Sequence, residues 1–120
     1  MKEYTIDRSR VEDVGRQLLE RIALKDDAAL SEFYDRYSRL VYSFALKVLR
    51  SQSDAEEVTA DVFWQVWRQA ESYNVARGSV AAWLITIARS RAIDRRRSLE
   101  RRGEETEIDL KLTEDGGGSA

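Results

Sequence analysis

From Leu30 to Val48 the apolar residues Leu30, Phe33, Tyr34, Tyr37, Val41, Phe44, Ala45 and Val48 return every few positions. That is the period of one face of an α-helix, held for several turns, and a strand alternating every second residue does not produce it. Its aromatic members read as core packing far more readily than as a cofactor box. Nothing elsewhere competes with the helical reading. The chain has no proline, its six glycines are confined to Gly15, Gly78, Gly103 and the 116–118 run, and no β-rich alternating stretch occurs. The sequence therefore predicts an all-α fold, a compact bundle of about four helices, with a flexible acidic tail from residue 103 onward. At 120 residues, 42% hydrophobic and 35% charged, it favours one globular domain with a modest core.

Three further helices flank that central one. The first starts near Asp7 or Ser9, either of which can cap free amides, and Val11, Val14, Leu18 and Ile22 set its apolar face. Gly15 inside it costs about 1 kcal/mol relative to Ala. Either the helix leans on tertiary packing there, or the glycine marks a close approach. A break follows at residues 25–27. The third helix is predicted to start at Ser53, which forms a capping box with Glu56, and to run to about Ala70. Stepping about 100° per residue, Val58, Val62, Phe63 and Val66 form its core face, with Trp67 and Ala70 at the edge. Asp54, Glu57, Asp61, Trp64, Gln65 and Arg68 fall on the far side. An outward indole framed by carboxylates has the makings of a protein-binding anchor. The competing reading is a Trp covered by the N-terminal helix.

Residues 71–79 form a loop in which Gly78 supplies backbone freedom and Ser79 caps the next helix. Tyr73, Asn74 and Arg77 offer an aromatic face, an amide that both donates and accepts, and a planar fork. Those are the parts needed to hold an unstacked base, although many surface loops contain the same residue types. The fourth helix runs from Val80 to about Arg97 or a little beyond. Val80, Ala81, Trp83, Leu84, Ile85, Ile87 and Ala88 cover nearly its whole circumference, so its first half is expected to be buried or wedged.

Its second half turns basic. Residues 88–102 hold seven arginines against Asp94 and Glu100, while residues 103–115 hold six acids against Lys111, a segregation that the net charge of −2 conceals. A solvated helix end beside a solvated linker would produce such blocks too, and arginines suit the negative end of the helix dipole. Arg95, Arg96 and Arg97 nevertheless point in three directions, more positive charge than one helix end needs, so phosphate contact is the better explanation.

Several function classes drop out. With no Cys and no His, disulfides, the common zinc sites, thiol nucleophiles and imidazole acid–base chemistry are absent, and no calcium-loop spacing is present. No base stands beside a nucleophile and no glycine motif cradles phosphate, so neither enzyme, cofactor nor metal is expected. No apolar run approaches the roughly 18 residues of a membrane span, and the N-terminus is not a signal peptide, so a cytoplasmic protein is expected.

The segments LSEFYDRYSRLVYSFALKVL, SDAEEVTADVFWQVWRQA and ARGSVAAWLITIARSRAIDRRR, in that order and spacing, resemble the second region of bacterial sigma factors of the extracytoplasmic-function (ECF) class. The resemblance spans residues 25–97. It implies a region 2 domain over residues 25–102, preceded by an N-terminal helix at 1–24 and followed by a linker at 103–120. The helix-turn-helix domain that follows in the full family is not in this sequence, which suggests a domain of a longer protein. Asp54, Glu57, Asp61, Trp64, Gln65 and Arg68 would then dock on the clamp helices of the largest subunit of core RNA polymerase. The loop from Tyr73 through Asn74 and Arg77 to Ser79 would capture a base flipped from the non-template strand of the promoter −10 element. Trp83, Thr86, Ser90, Arg91, Asp94 and Arg95 would face that DNA. Trp83 is open to two roles, a wedge at the duplex edge or a core residue, and Ser90 stands where many members carry Asn. An anti-sigma factor is a further expected partner. The alternative to a promoter-reading domain is a helical module that serves mainly as an anti-sigma target, without selective DNA binding of its own.

Overall fold

In the computed structural model the backbone is described for residues 8–118 and the side chains for residues 9–103. Four helices follow in order: α1 (Arg8–Ala23), α2 (Asp27–Leu49), α3 (Gln52–Gln69) and α4 (Val80–Gly118). Two single 3-10 turns, Ala70–Ser72 and Val75–Arg77, fill the span between α3 and α4. Among the described residues there is no strand.

The central helix is α2, which packs against each of the other three, while α3 also packs along α4. Ala29, Phe33, Tyr37, Val41 and Ala45 of α2 are buried, one every four residues along a single helix face. They meet Leu18, Leu19 and Ile22 of α1, Val58, Val62, Phe63 and Val66 of α3, and Val80, Leu84, Ile87, Ala88 and Ala92 of α4. Tyr34 was expected in this core but lies at its edge, 45% exposed, its ring edge-on to Phe63 with centroids 4.9 Å apart. Val11 is likewise outside the core, at 46% exposure.

The helix ends have local causes. α1 stops where Lys25 turns left-handed (φ 65°), and Asp26 then caps α2, its carboxylate accepting from the amides of Ala28 and Ala29. Arg50, also left-handed, closes α2 by donating its amide to the Leu46 carbonyl at 2.8 Å. The cap of α3 is Ser51, two residues earlier than the capping box predicts: its hydroxyl accepts from the Asp54 amide at 3.3 Å. Ser53 lies inside the first turn and its hydroxyl meets that of Ser51. For α1, the predicted cap Asp7 lies outside the described residues, and Ser9 is already helical.

Gly15 is a close-approach point. A methyl group on it would meet the Tyr37 hydroxyl at 2.4 Å and a Val80 methyl at 3.4 Å, so the missing side chain lets α1 settle against α2 and the start of α4 together. The fourth helix exceeds its predicted end near Arg97 and continues as helix through Gly103 to Gly118. No proline interrupts it, and one interior glycine costs only about 1 kcal/mol. The side chains of the expected flexible acidic tail lie outside the described residues from residue 104 onward.

Candidate functional site

Between α3 and α4 the chain folds into a small cleft. Tyr73, Asn74, Arg77, Ser79, Trp83 and Thr86 line it together with Ser72, Gly78 and Ala82, around about 260 Å³. Six of the ten residues expected to face DNA are therefore gathered in one place. The Asn74 side chain turns the loop by accepting from the Ala76 amide at 2.9 Å, which leaves its two amide hydrogens to point elsewhere. Gly78 has φ 137°, a conformation that favours glycine. Tyr73 donates its hydroxyl to the Gly78 carbonyl at 2.9 Å and sets its ring edge-on to Trp83, centroids 5.6 Å apart. Burial, and then the negative charge of Glu12, push the Tyr73 phenol above its ordinary pKa, so it stays a donor. Ser79 caps α4 as expected, accepting from the Ala82 amide at 3.0 Å.

One contributor was invisible in the sequence. Glu12, on α1, accepts the Val80 amide at 2.6 Å and lies 3.5 Å from the Tyr73 hydroxyl. No local pattern could announce a cap that comes from 68 residues away.

Along α4 the expected DNA-facing residues divide. Trp83, Thr86, Ser90 and Asp94 are spaced three, four and four residues apart and share one face, which leads directly away from the cleft. Arg97 continues that face, exposed, and lines a surface depression with Asp94. Arg91 and Arg95 instead turn toward α3. Arg91 donates its Nε to the Gln65 side-chain oxygen at 2.9 Å. Arg95 donates Nε and Nη2 to one Asp54 oxygen at 3.0 and 2.7 Å, and its Nη2 lies 2.9 Å from Glu57. The pair is largely shielded, at 26% and 16% side-chain exposure. The Arg95 guanidinium, helped by the Ser51 hydroxyl, holds the Asp54 carboxyl below its usual range. Two sets of residues that read as separate surfaces are thus stitched together, and three members of the α3 set are partnered by α4.

Of the rest of the α3 set, Asp61 is half-buried, while Trp64 and Arg68 are open. Trp64 is 61% exposed, so α1 does not cover it, and Arg68 is exposed beside it. Trp64 joins Asp27, Leu30, Ala60, Phe63 and Trp67 around a shallow, mainly apolar groove of about 480 Å³. Lys25 holds Trp67 in place, its ammonium 4.8 Å from the Trp67 ring centre and 2.5 Å from the Trp67 carbonyl oxygen. The α2 side of the groove was missed because Leu30 and Asp27 belong to a different helix from the indole.

The sequence profile of the family described as Sigma-70 region 2 matches residues 33–102, which takes in most of α2, all of α3, the cleft and the basic part of α4. The chain belongs to the sigma-70 region 2 family. Its likeness within that family is to the ECF class. It is 43% identical over 91 residues to the ECF RNA polymerase sigma factor SigK of Mycobacterium tuberculosis (strain ATCC 25618 / H37Rv), covering 76% of this chain and 48% of the relative. The SigK of Mycobacterium bovis (strain BCG / Pasteur 1173P2) matches equally, and that of Mycobacterium sp. (strain KMS) is 46% identical over 83 residues, covering 69% of this chain and 43% of the relative. The chain spans about half the length of the curated relatives it matches. Among its described residues, no helix is long and apolar enough to cross a membrane. The region 2 match begins at residue 33, so α1 and Glu12 lie outside it.

Proposed function

We propose that this domain is a non-catalytic specificity module of transcription initiation, which docks on core RNA polymerase and holds the −10 element open as single-stranded DNA. The observation that carries this reading is the cleft. An edge-on aromatic pair, an amide with free donors, an arginine fork and two hydroxyls converge on about 260 Å³. That is just below the range of about 300–1,000 Å³ found for drug-sized ligands, and it suits one unstacked base. Opening the duplex costs a few kcal/mol per unstacked step, which stacking on Trp83 and Tyr73 and contacts to the displaced strand would offset.

The strand would then leave the cleft along Trp83, Thr86, Ser90 and Asp94 toward Arg97 and Arg101, cations that share their face. Arg91 and Arg95 act differently in this scheme. They hold α3 and α4 together, so that the docking face and the DNA face move as one body. Polymerase would be gripped by Trp64 and its groove, with Asp61 and Arg68 at the rim. An anti-sigma factor covering the same indole would compete with that docking. A protein with these two partners works in the cytoplasm.

An abasic scan tests the reading. The chain, bound to core polymerase, is titrated with single-stranded −10 oligonucleotides in which each base is removed in turn. One position should stand out, losing about tenfold or more in affinity, the scale of base–aromatic stacking. Asn74→Ala and Trp83→Ala should flatten that position alone. A flat scan with the wild-type chain would remove base capture from the account.

A further inference from the structure

The cleft is built by α4 and its preceding loop, yet the contact that sets its geometry comes from α1. The first turn of α4 carries no acid of its own, so the positive end of its dipole and the Val80 amide look outward for a partner. Glu12 supplies it, accepting that amide at 2.6 Å. The same carboxylate oxygen lies 3.5 Å from the Tyr73 hydroxyl. The phenol has one proton, and the shorter 2.9 Å geometry directs it to the Gly78 carbonyl, leaving Glu12 as the charge behind it. Glu12 thus reaches both walls of the cleft: Tyr73 directly, and Trp83 through the helix start, whose next turn includes the Trp83 amide bonded to the Ser79 carbonyl at 3.0 Å. Gly15, one turn along α1, helps to seat α1 there, since a methyl group at that position would collide with the Tyr37 hydroxyl of α2.

We propose that Glu12 is a positioning residue that pre-forms the base-holding cleft from outside the residues that match the region 2 family. The proposal rests on the reading of the cleft given above, and it adds a residue that touches no DNA. Without Glu12 the first turn of α4 frays, Tyr73 and Trp83 lose their fixed spacing, and base capture weakens while phosphate contacts along α4 persist.

The test uses three chains bound to core polymerase: wild type, Glu12→Ala and Glu12→Gln. Each is titrated with the best single-stranded oligonucleotide and with its abasic counterpart, across a series of salt concentrations. The wild type should prefer the intact strand by about tenfold or more. Glu12→Ala should bring that preference down to within about twofold, with the slope of affinity against salt unchanged, because the slope counts phosphates rather than base contacts. Glu12→Gln keeps an oxygen in place to accept the Val80 amide and should recover most of the preference. Hydrogen exchange at the Val80 amide should quicken in Glu12→Ala and not in Glu12→Gln. A Glu12→Ala chain that retains the wild-type preference, or that loses salt slope and preference together, overturns the proposal. The same holds if Glu12→Gln behaves like Glu12→Ala. If the wild type itself shows no preference while Val80 exchange responds as expected, base capture is the part that fails, and with it any role of Glu12 in DNA reading.

Discussion

Replacing Gly15 with alanine should have opposite effects on stability depending on one hydroxyl. In an isolated helix the change is favourable by about 1 kcal/mol, because glycine has the larger backbone entropy to lose. Here the new methyl carbon would stand 2.4 Å from the Tyr37 Oη, and ordinary contact begins near 3.4 Å, so something must move by about 1 Å. Tyr37 cannot swing aside. It is 8% exposed, and its ring is held against Phe33 with centroids 4.7 Å apart. Overpacking of this kind costs about 1–3 kcal/mol, so Gly15→Ala should lower stability by about 1 kcal/mol net, or about 4–8 °C in melting temperature for a domain of this size. In a Tyr37→Phe background the obstructing oxygen is gone and the remaining neighbours, Tyr37 Cζ and the Val80 methyl, are at 3.4 Å. Gly15→Ala should then stabilise by about 0.5–1 kcal/mol. Urea unfolding of the four chains, followed by circular dichroism, yields the coupling, expected near 2 kcal/mol. If Gly15→Ala stabilises both backgrounds, with a coupling below about 0.5 kcal/mol, then α1 does not approach α2 as described. The reach of Glu12 to Val80 would fall with it.

Other consequences are simpler to state. Ser51→Ala should cost about 1 kcal/mol by removing the α3 cap, while Ser53→Ala should be close to neutral; thermal melts distinguish this from capping by Ser53. The lowered pKa of Asp54 means that the Asp54–Arg95 contact contributes stability in full above the unfolded aspartate value of about 3.9, and loses it as pH falls through the folded value. Acid titration of the melting temperature should therefore show a steeper decline below about pH 4 in the wild type than in Asp54→Asn. Gly78→Ala forces φ 137° on a residue with a side chain, and should loosen the 73–79 loop with little change in global melting, seen as faster amide exchange confined to that loop.

The helices were legible because their signal is local. The period in α2, the break at 25–27, the Gly78 turn and the Ser79 cap all depend on residues within a few positions of one another. The outward Trp64 was legible for the same reason, since one helix's own wheel places it opposite Val62. What could not be read is whatever one helix does to another. Arg91 and Arg95 look like free cations in a basic run, and only the approach of α3 shows that Gln65, Asp54 and Glu57 already hold them. The Glu12 cap of α4 and the α2 side of the Trp64 groove share that origin. The α3 start was misjudged by two residues because two serines compete for the cap, and the continuing chain geometry, rather than residue type, decides between them.

The most direct test of the account is the affinity of the chain for core RNA polymerase, compared with that of an Asp61→Arg/Trp64→Ala double variant. Trp64 is 61% exposed, so its replacement should leave the melting temperature close to that of the wild type, and a melt of the double variant checks that Asp61→Arg does the same. An anchoring indole with an adjacent charge reversal is worth at least about 2 kcal/mol, so binding should weaken about 30-fold or more. A double variant that binds core polymerase as tightly as the wild type would show that the open face of α3 is not the docking surface.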